Sequence, residues 1–225
     1  SARSSIPALE GLLIQAGAGV RVTGSDLKKG IYMNIEADVV QLGSAVLMTA
    51  KLFSEMMRLL PDGIVTVEVG DDSRATVKCG QSEYSFMALP ASDYPELPDV
   101  DVSEAIAIPQ KTLRMAIRRE DVKGGTDGMR FIIPGSALLD VERLCGDTDE
   151  EVLLNVGTKH SSFTIGGTVV VSRKLEGDFL NYKKSLPENF RHTVTVLRED
   201  MLGATDRVSL VVDEKLKSPV RLIFG

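Results

Sequence analysis

Positions 85 residues apart carry the same pattern twice in this 225-residue chain. Leu47/Ile132, Arg58/Arg143, Leu59/Leu144, Val67/Val152, Asp93/Asp178 and Tyr94/Phe179 all match at that single offset. A repeat of this length means a fold assembled from duplicated modules. In the first copy Leu52, Phe53, Met56, Met57, Leu59 and Leu60 form a wide apolar face, which predicts a helix over Lys51–Leu60. Lys51, Ser54, Glu55 and Arg58 fall mostly on the opposite side, and Pro61 ends the helix. Three strands are expected next, at Ile64–Val69, Arg74–Lys78 and Tyr84–Ala88, with Asp71-Asp72 and Gly80-Gln81 as turns. The second copy reads as Ile132-Ile133-Pro134, a helix over Ser136–Leu144, a Gly146-Asp147 turn, then Val152–Val156 and two further β-rich runs. Each module is therefore strand, helix and three strands, an α+β architecture.

Around the modules the pattern is plainer. Leu12–Ile14, Val20–Val22, Ile31–Ile35 and Val46–Met48 are short β-rich runs separated by Gly, Asp and Ser turns. Pro90–Pro98 is too proline-rich for a regular element and reads as a semi-rigid linker. Ala105–Ile108 is expected as a strand, and Pro109 opens a helix in which Leu113 and Ile117 lie four apart. A third module begins at His192–Val196 and Arg198–Leu202 and stops at Val220–Gly225.

Several classes of function find no support. A net charge of −6 argues against a protein that sticks to nucleic acid through a generally basic surface, although Lys28-Lys29, Arg118-Arg119, Lys183-Lys184 and Lys215 with Lys217 form local clusters. No apolar run approaches the ~20 residues of a membrane helix, and Ser1–Ser5 shows no signal-peptide pattern. Cys79 and Cys145 stand alone, without the spacing of a zinc site or a disulfide framework, so the expected compartment is reduced and cytoplasmic. Gly17-Ala18-Gly19 lacks the third glycine and the helix of a dinucleotide loop and fits a hairpin turn better. Asp147–Glu151 lacks the glycine and closing glutamate of a calcium loop. His160 and His192 have no carboxylate or cysteine partner at a telling spacing. No nucleophile, base and orienting group assemble, so no catalytic residue, metal or cofactor is expected.

What remains is a repeated amphipathic helix beside a sheet. Lys51, Arg58, Lys111, Arg114 and Arg143 recur at equivalent places on the expected helices. If the helices share one side, these cations line one surface suited to phosphate contact without base reading.

Four segments then carry a specific resemblance. Ala2–Leu13, Leu89–Pro95, Ile108–Leu113, and Leu175–Phe179 with Tyr182 and Leu186-Pro187 resemble, in order, segments of the bacterial sliding-clamp family, the beta subunit of DNA polymerase III. The resemblance implies three similar domains per subunit, each a duplicated β-α-β-β-β unit. Two subunits would close head to tail into a ring with helices inside and sheets outside. The implied function is a non-catalytic processivity factor that encircles double-stranded DNA without sequence preference. It would be cytoplasmic and nucleoid-associated, and would tether polymerase subunits and the clamp loader through short peptide motifs.

On that resemblance residues 1–101 form a first domain, 102–190 a second and 191–225 the beginning of a third. Arg3 matches a basic DNA-contacting residue, and Lys51, Arg58, Lys111 and Arg143 join it from their helix positions. Met115, Leu180 and Ser185 match parts of the partner-peptide pocket, with Leu180 where a proline is frequent and Ser185 where an aliphatic residue is common. Tyr84 and Phe86 are expected as an exposed dimer-interface pair, facing Leu210 and Val211 of a second copy. The chain also departs from the family. It starts inside the first domain and ends within the third, and strands are missing near Arg114/Met115, where Met115–Arg119 resembles a later strand. The helix over Pro109–Ile117 would then be a false join, and the second domain would lose its sheet pairing. Two readings stay open beside the clamp: a β-rich enzyme or regulator sharing the duplicated fold, and an interaction protein that never meets DNA.

Overall fold

Gly17 and Gly19 reverse the chain between β1 (Leu12–Ala16) and β2 (Val20–Ser25), with the Gly17 amide donating to the Gly19 carbonyl at 2.8 Å. This is the hairpin expected from the glycines. The computed structural model describes residues 6–100, 105–118, 130–181, 193–209 and 223. Residues 1–177 form one unit and 178–225 another. In the first unit, β3 (Lys29–Ile35) and β4 (Gly43–Leu47) follow the hairpin, then α1 (Ala50–Leu59), β5 (Thr66–Val69), β6 (Arg74–Cys79) and β7 (Ser82–Pro90). The second half carries β8 (Ile106–Pro109), α2 (Gln110–Arg118), α3 (Gly135–Leu144), β9 (Glu151–Val156), β10 (His160–Ile165) and β11 (Thr168–Arg173). All eleven strands join one antiparallel sheet in the order β5-β6-β7-β4-β1-β2-β3-β11-β10-β9-β8.

The register decides where the helices lie. Directly opposed residues of paired strands share a face, as do residues two apart. Ala45, Ile14 and Val22 oppose one another across β4, β1 and β2. Two residues along β2, Gly24 continues that face through Ile31, Val170, Phe163, Leu154 and Ile106. At one end Ala45, Leu47, Val77 and Phe86 form a core with Met56 and Phe53 of α1. At the other end Val152, Leu154, Phe163 and Val170 enclose Val141 of α3 and Leu113 of α2. The three helices therefore lie on the same face of one continuous sheet. Phe53 meets Phe86 edge-on, with centroids 5.5 Å apart.

The other face of the first half is covered by irregular chain with two short 3-10 turns, Pro7–Glu10 and Ala91–Asp93, rather than by α-helix. Ala8, Val46 and Tyr94 are buried there with Leu13 and Leu89 packed on them. The Tyr94 hydroxyl donates to the Thr23 carbonyl at 3.5 Å. Leu97 seats on Gly30 so closely that a Cβ at position 30 would overlap its side chain. Pro90–Pro98 is therefore not a free spacer but a strap docked on β2 and β3.

The duplication is visible in the elements. α1 and α3 begin and end at positions 85 apart, and each is followed by three antiparallel strands. The modules meet where β3 pairs with β11, and Lys29 of β3 is ion-paired with Asp140 of α3 across the join. Three expectations need correction. α2 runs unbroken through Arg114 and Met115, so Met115–Arg118 are helical and not a strand. The second half keeps its sheet pairing, because β8 bonds to β9 and α2 packs on α3. Ile132 makes only an isolated bridge to Leu175 instead of opening a strand. In the second unit α4 (Arg198–Ser209) forms as expected, but Thr193–Leu197, the described part of the expected strand ahead of it, is not a strand.

Candidate nucleic-acid interface

The helix face presents cations in unequal states. Lys51 opens α1 with its side chain 90% exposed and a loose contact to Glu55 at 3.8 Å. Arg58, in the last turn of α1, is exposed and has no ion pair among the described residues. Arg143 ends α3 with its side chain 76% exposed, 3.6 Å from Asp140. Lys111 on α2 is instead held by Asp149 at 2.6 Å. Its pKa is raised, first by that hydrogen bond and then by the attraction of Asp149 and Asp147. The four helix residues thus lie on elements of one face, three of them well exposed and one largely neutralised. Arg3 lies outside the described residues.

Sequence reasoning passed over Arg118 as a site residue. It sits in the last turn of α2 and donates through Nε to Glu142 of α3 at 2.7 Å. Arg114 lies 3.9 Å from the same carboxylate. Lys111, Arg114 and Arg118 are spaced to share one side of a helix, a signal usable only if the helix continues past Met115. The acidic run after α3 also has a structural account. Asp149 engages Lys111, while Gln110 donates to Glu150 and accepts from the Gly146 amide, so the turn is tied to α2. Among the described residues no three acidic, histidine or cysteine side chains cluster as metal ligands. No helix among them is long and apolar enough to cross a membrane.

The expected interface pair divides. Tyr84 is 42% exposed, but Phe86 is 6% exposed and belongs to the core under α1. Phe86 is thus corrected from a surface contact to a packing residue, because its side of β7 faces the helix. Among the described residues the strand edge itself is available. β7 pairs with β6 along Ser82–Met87, while β4 reaches only Ala88–Pro90 on the other side. Leu210 and Val211 lie outside the described residues. Of the expected pocket residues, Met115 is half exposed on α2, Leu180 is 77% exposed in the second unit, and Ser185 is outside the described residues.

Comparison with known proteins agrees with this architecture. Residues 1–98 match the model of the DNA polymerase III beta subunit N-terminal domain, and residues 99–181 match its central domain. A beta sliding clamp from Synechocystis is 27% identical, covering 96% of this chain and 71% of the relative. That alignment spans 278 positions, more than this chain contains, so the relative carries segments with no counterpart here. A beta sliding clamp from Staphylococcus epidermidis is 24% identical over all of this chain and 72% of its own. The crystal structure of the DNA polymerase sliding clamp from Bacillus subtilis superposes with a TM-score of 0.72 at 26% identity, covering 95% of this chain and 69% of that one. The DNA polymerase III subunit beta from Pseudomonas aeruginosa gives 0.72 at 22% identity, over 94% and 70%. With two adjoining domain models spanning residues 1–181, the chain belongs to the DNA polymerase III beta subunit family, the beta sliding clamps, which are non-catalytic processivity factors of replication.

Proposed function

We propose that this chain holds duplex DNA by surrounding it, with α1, α2 and α3 facing the duplex and the sheet facing out. The observation that carries the reading is the common face of the three helices, fixed by strand register, with Lys51, Arg58 and Arg143 exposed on it. Their acidic neighbours Glu55 and Asp140 temper the field, which suits contact loose enough to slide. Lys111 contributes less because Asp149 competes for it. Arg3 is retained as a contact on the family resemblance alone.

Closure into a ring would use a second copy, head to tail. The open edge of β7 beside Tyr84 offers backbone groups for a partner strand, with Leu210 and Val211 as its apolar counterpart. Residues 1–101 and 102–190 are read as the first and second clamp domains and 191–225 as the start of a third. Polymerase subunits and the clamp loader would dock short peptides using Met115, Leu180 and Ser185. The compartment would be the cytoplasm, at the nucleoid.

Replacing Lys51, Arg58 and Arg143 together by Glu tests the orientation. Loading onto primed circular DNA by clamp loader and ATP should fall severalfold, while Arg21→Glu on the opposite face should leave it unchanged. Equal loss from both changes, or from neither, would remove the helix face from DNA contact.

A further inference from the structure

A small pocket opens on the face of the sheet away from the helices, where the two modules join. It holds about 60 Å³ and lies between the strap at Pro95–Pro98 and the ends of β3, β10 and β11. Lys28, His160 and Arg173 line it, with Glu96 the one acidic side chain on its wall. These side chains converge because the strands do. His160 is the register partner of Arg173, and the Arg173 amide donates to the Lys28 carbonyl at 3.0 Å. Lys28 and Arg173 are both exposed and neither has an ion pair among the described residues, whereas neighbouring Lys29 is taken by Asp140. Two cations without an ion pair thus stand beside an imidazole on the wall of one pocket.

Two further observations point the same way. The proton on His160 is disfavoured first by burial and then by the positive charges of Arg173 and Lys159. The local field is therefore positive at the imidazole. The turn carrying Lys28 is also held in a costly shape, with Leu27 on the rim in the left-handed region at φ 70°. The Ser25 hydroxyl accepts from the Leu27 amide and Asp26 accepts from the amides of Lys28 and Lys29, which fixes the turn.

We propose that this outward pocket is an anion site that takes one phosphate group, held by Lys28, Arg173 and His160. The volume admits a tetrahedral oxyanion. The helices lie on the other face, so the phosphate is not one of the encircled duplex, and the inference does not depend on that reading. Because its ligands come from the β2–β3 turn of the first half and from β10 and β11 of the second, a bound phosphate bridges the join.

The test titrates the whole chain with inorganic phosphate at constant ionic strength made up with chloride. Calorimetry and the thermal unfolding midpoint are read alongside the histidine ring protons in NMR. With only two histidines in the chain, His160 can be followed after assignment with His160→Gln. Phosphate should raise the midpoint above the chloride control and move the His160 signal. The double change Lys28→Gln and Arg173→Gln should weaken binding at least about tenfold. Arg21→Gln, on the same face of the sheet, should bind phosphate normally. A phosphate effect equal to that of chloride, a stationary His160 signal, or undiminished binding by a folded double variant would overturn the proposal.

Discussion

Phe86 and Tyr84 stand two apart on β7, yet they do different work. Phe86 fills the core under α1, against Phe53, while Tyr84 lies beyond the edge of that core. Phe86→Ala should cost about 3–5 kcal/mol of stability in denaturant unfolding. Tyr84→Ala should cost far less and instead weaken self-association measured by sedimentation. A Phe86→Ala protein of normal stability would contradict the packing role. Strand alternation revealed that the two share a face but not how far the helix above extends, so Phe86 was legible as apolar and not as buried. His160 gives a pH prediction. Its folded-state pKa lies below 6.5, so the unfolded chain takes up the proton first. Stability from this group is present above that value and is lost as pH falls from about 6.5 through the folded pKa. His160→Gln should flatten that part of the unfolding profile, and an unchanged slope would assign it to other groups.

At the scale of elements, the duplication was legible because it is written in periodic apolar positions. The matched bounds of α1 and α3 follow directly from that 85-residue offset. Equivalent residues nevertheless meet different surroundings. Tyr94 is buried between the strap that carries it and the sheet, while its counterpart Phe179 is 70% exposed. No repeat pattern contains that difference, since it depends on which strands lie alongside. The strap itself was misread as a spacer because proline content reports stiffness and says nothing of docking. Helix α2 was doubted where family resemblance suggested a break, although Leu113 and Ile117 already had helical spacing. The join between modules is testable through Lys29 and Asp140, whose side chains are only 24% and 19% exposed. Asp140→Ala leaves the lysine partly buried without its partner and should cost about 1–3 kcal/mol. Exchanging the two residues should recover part of that loss. A neutral Asp140→Ala would mean that the β3–β11 pairing alone holds the modules.

On the scale of the molecule, residues 1–177 turn these local arrangements into a continuous sheet with helices on one side and a strap on the other. Family membership explains the arrangement, and the arrangement explains how an acidic chain can serve DNA. Few phosphates can be neutralised at once by Lys51, Arg58 and Arg143, so open-ended DNA should be held poorly at physiological salt. Enclosure requires no such affinity. The cationic face was visible in the sequence as recurring Lys and Arg, but its partial neutralisation by Asp149 and Glu142 was not. Those partners come from distant segments of the chain. The most direct measurement loads the labelled protein onto nicked circular DNA with clamp loader and ATP, washes at high salt, and then linearises the circle. Encirclement predicts retention through the wash and release within seconds to minutes of cutting, with retention restored when the DNA ends are blocked. Persistence on linear DNA with free ends, or equally fast loss from circles, would contradict it.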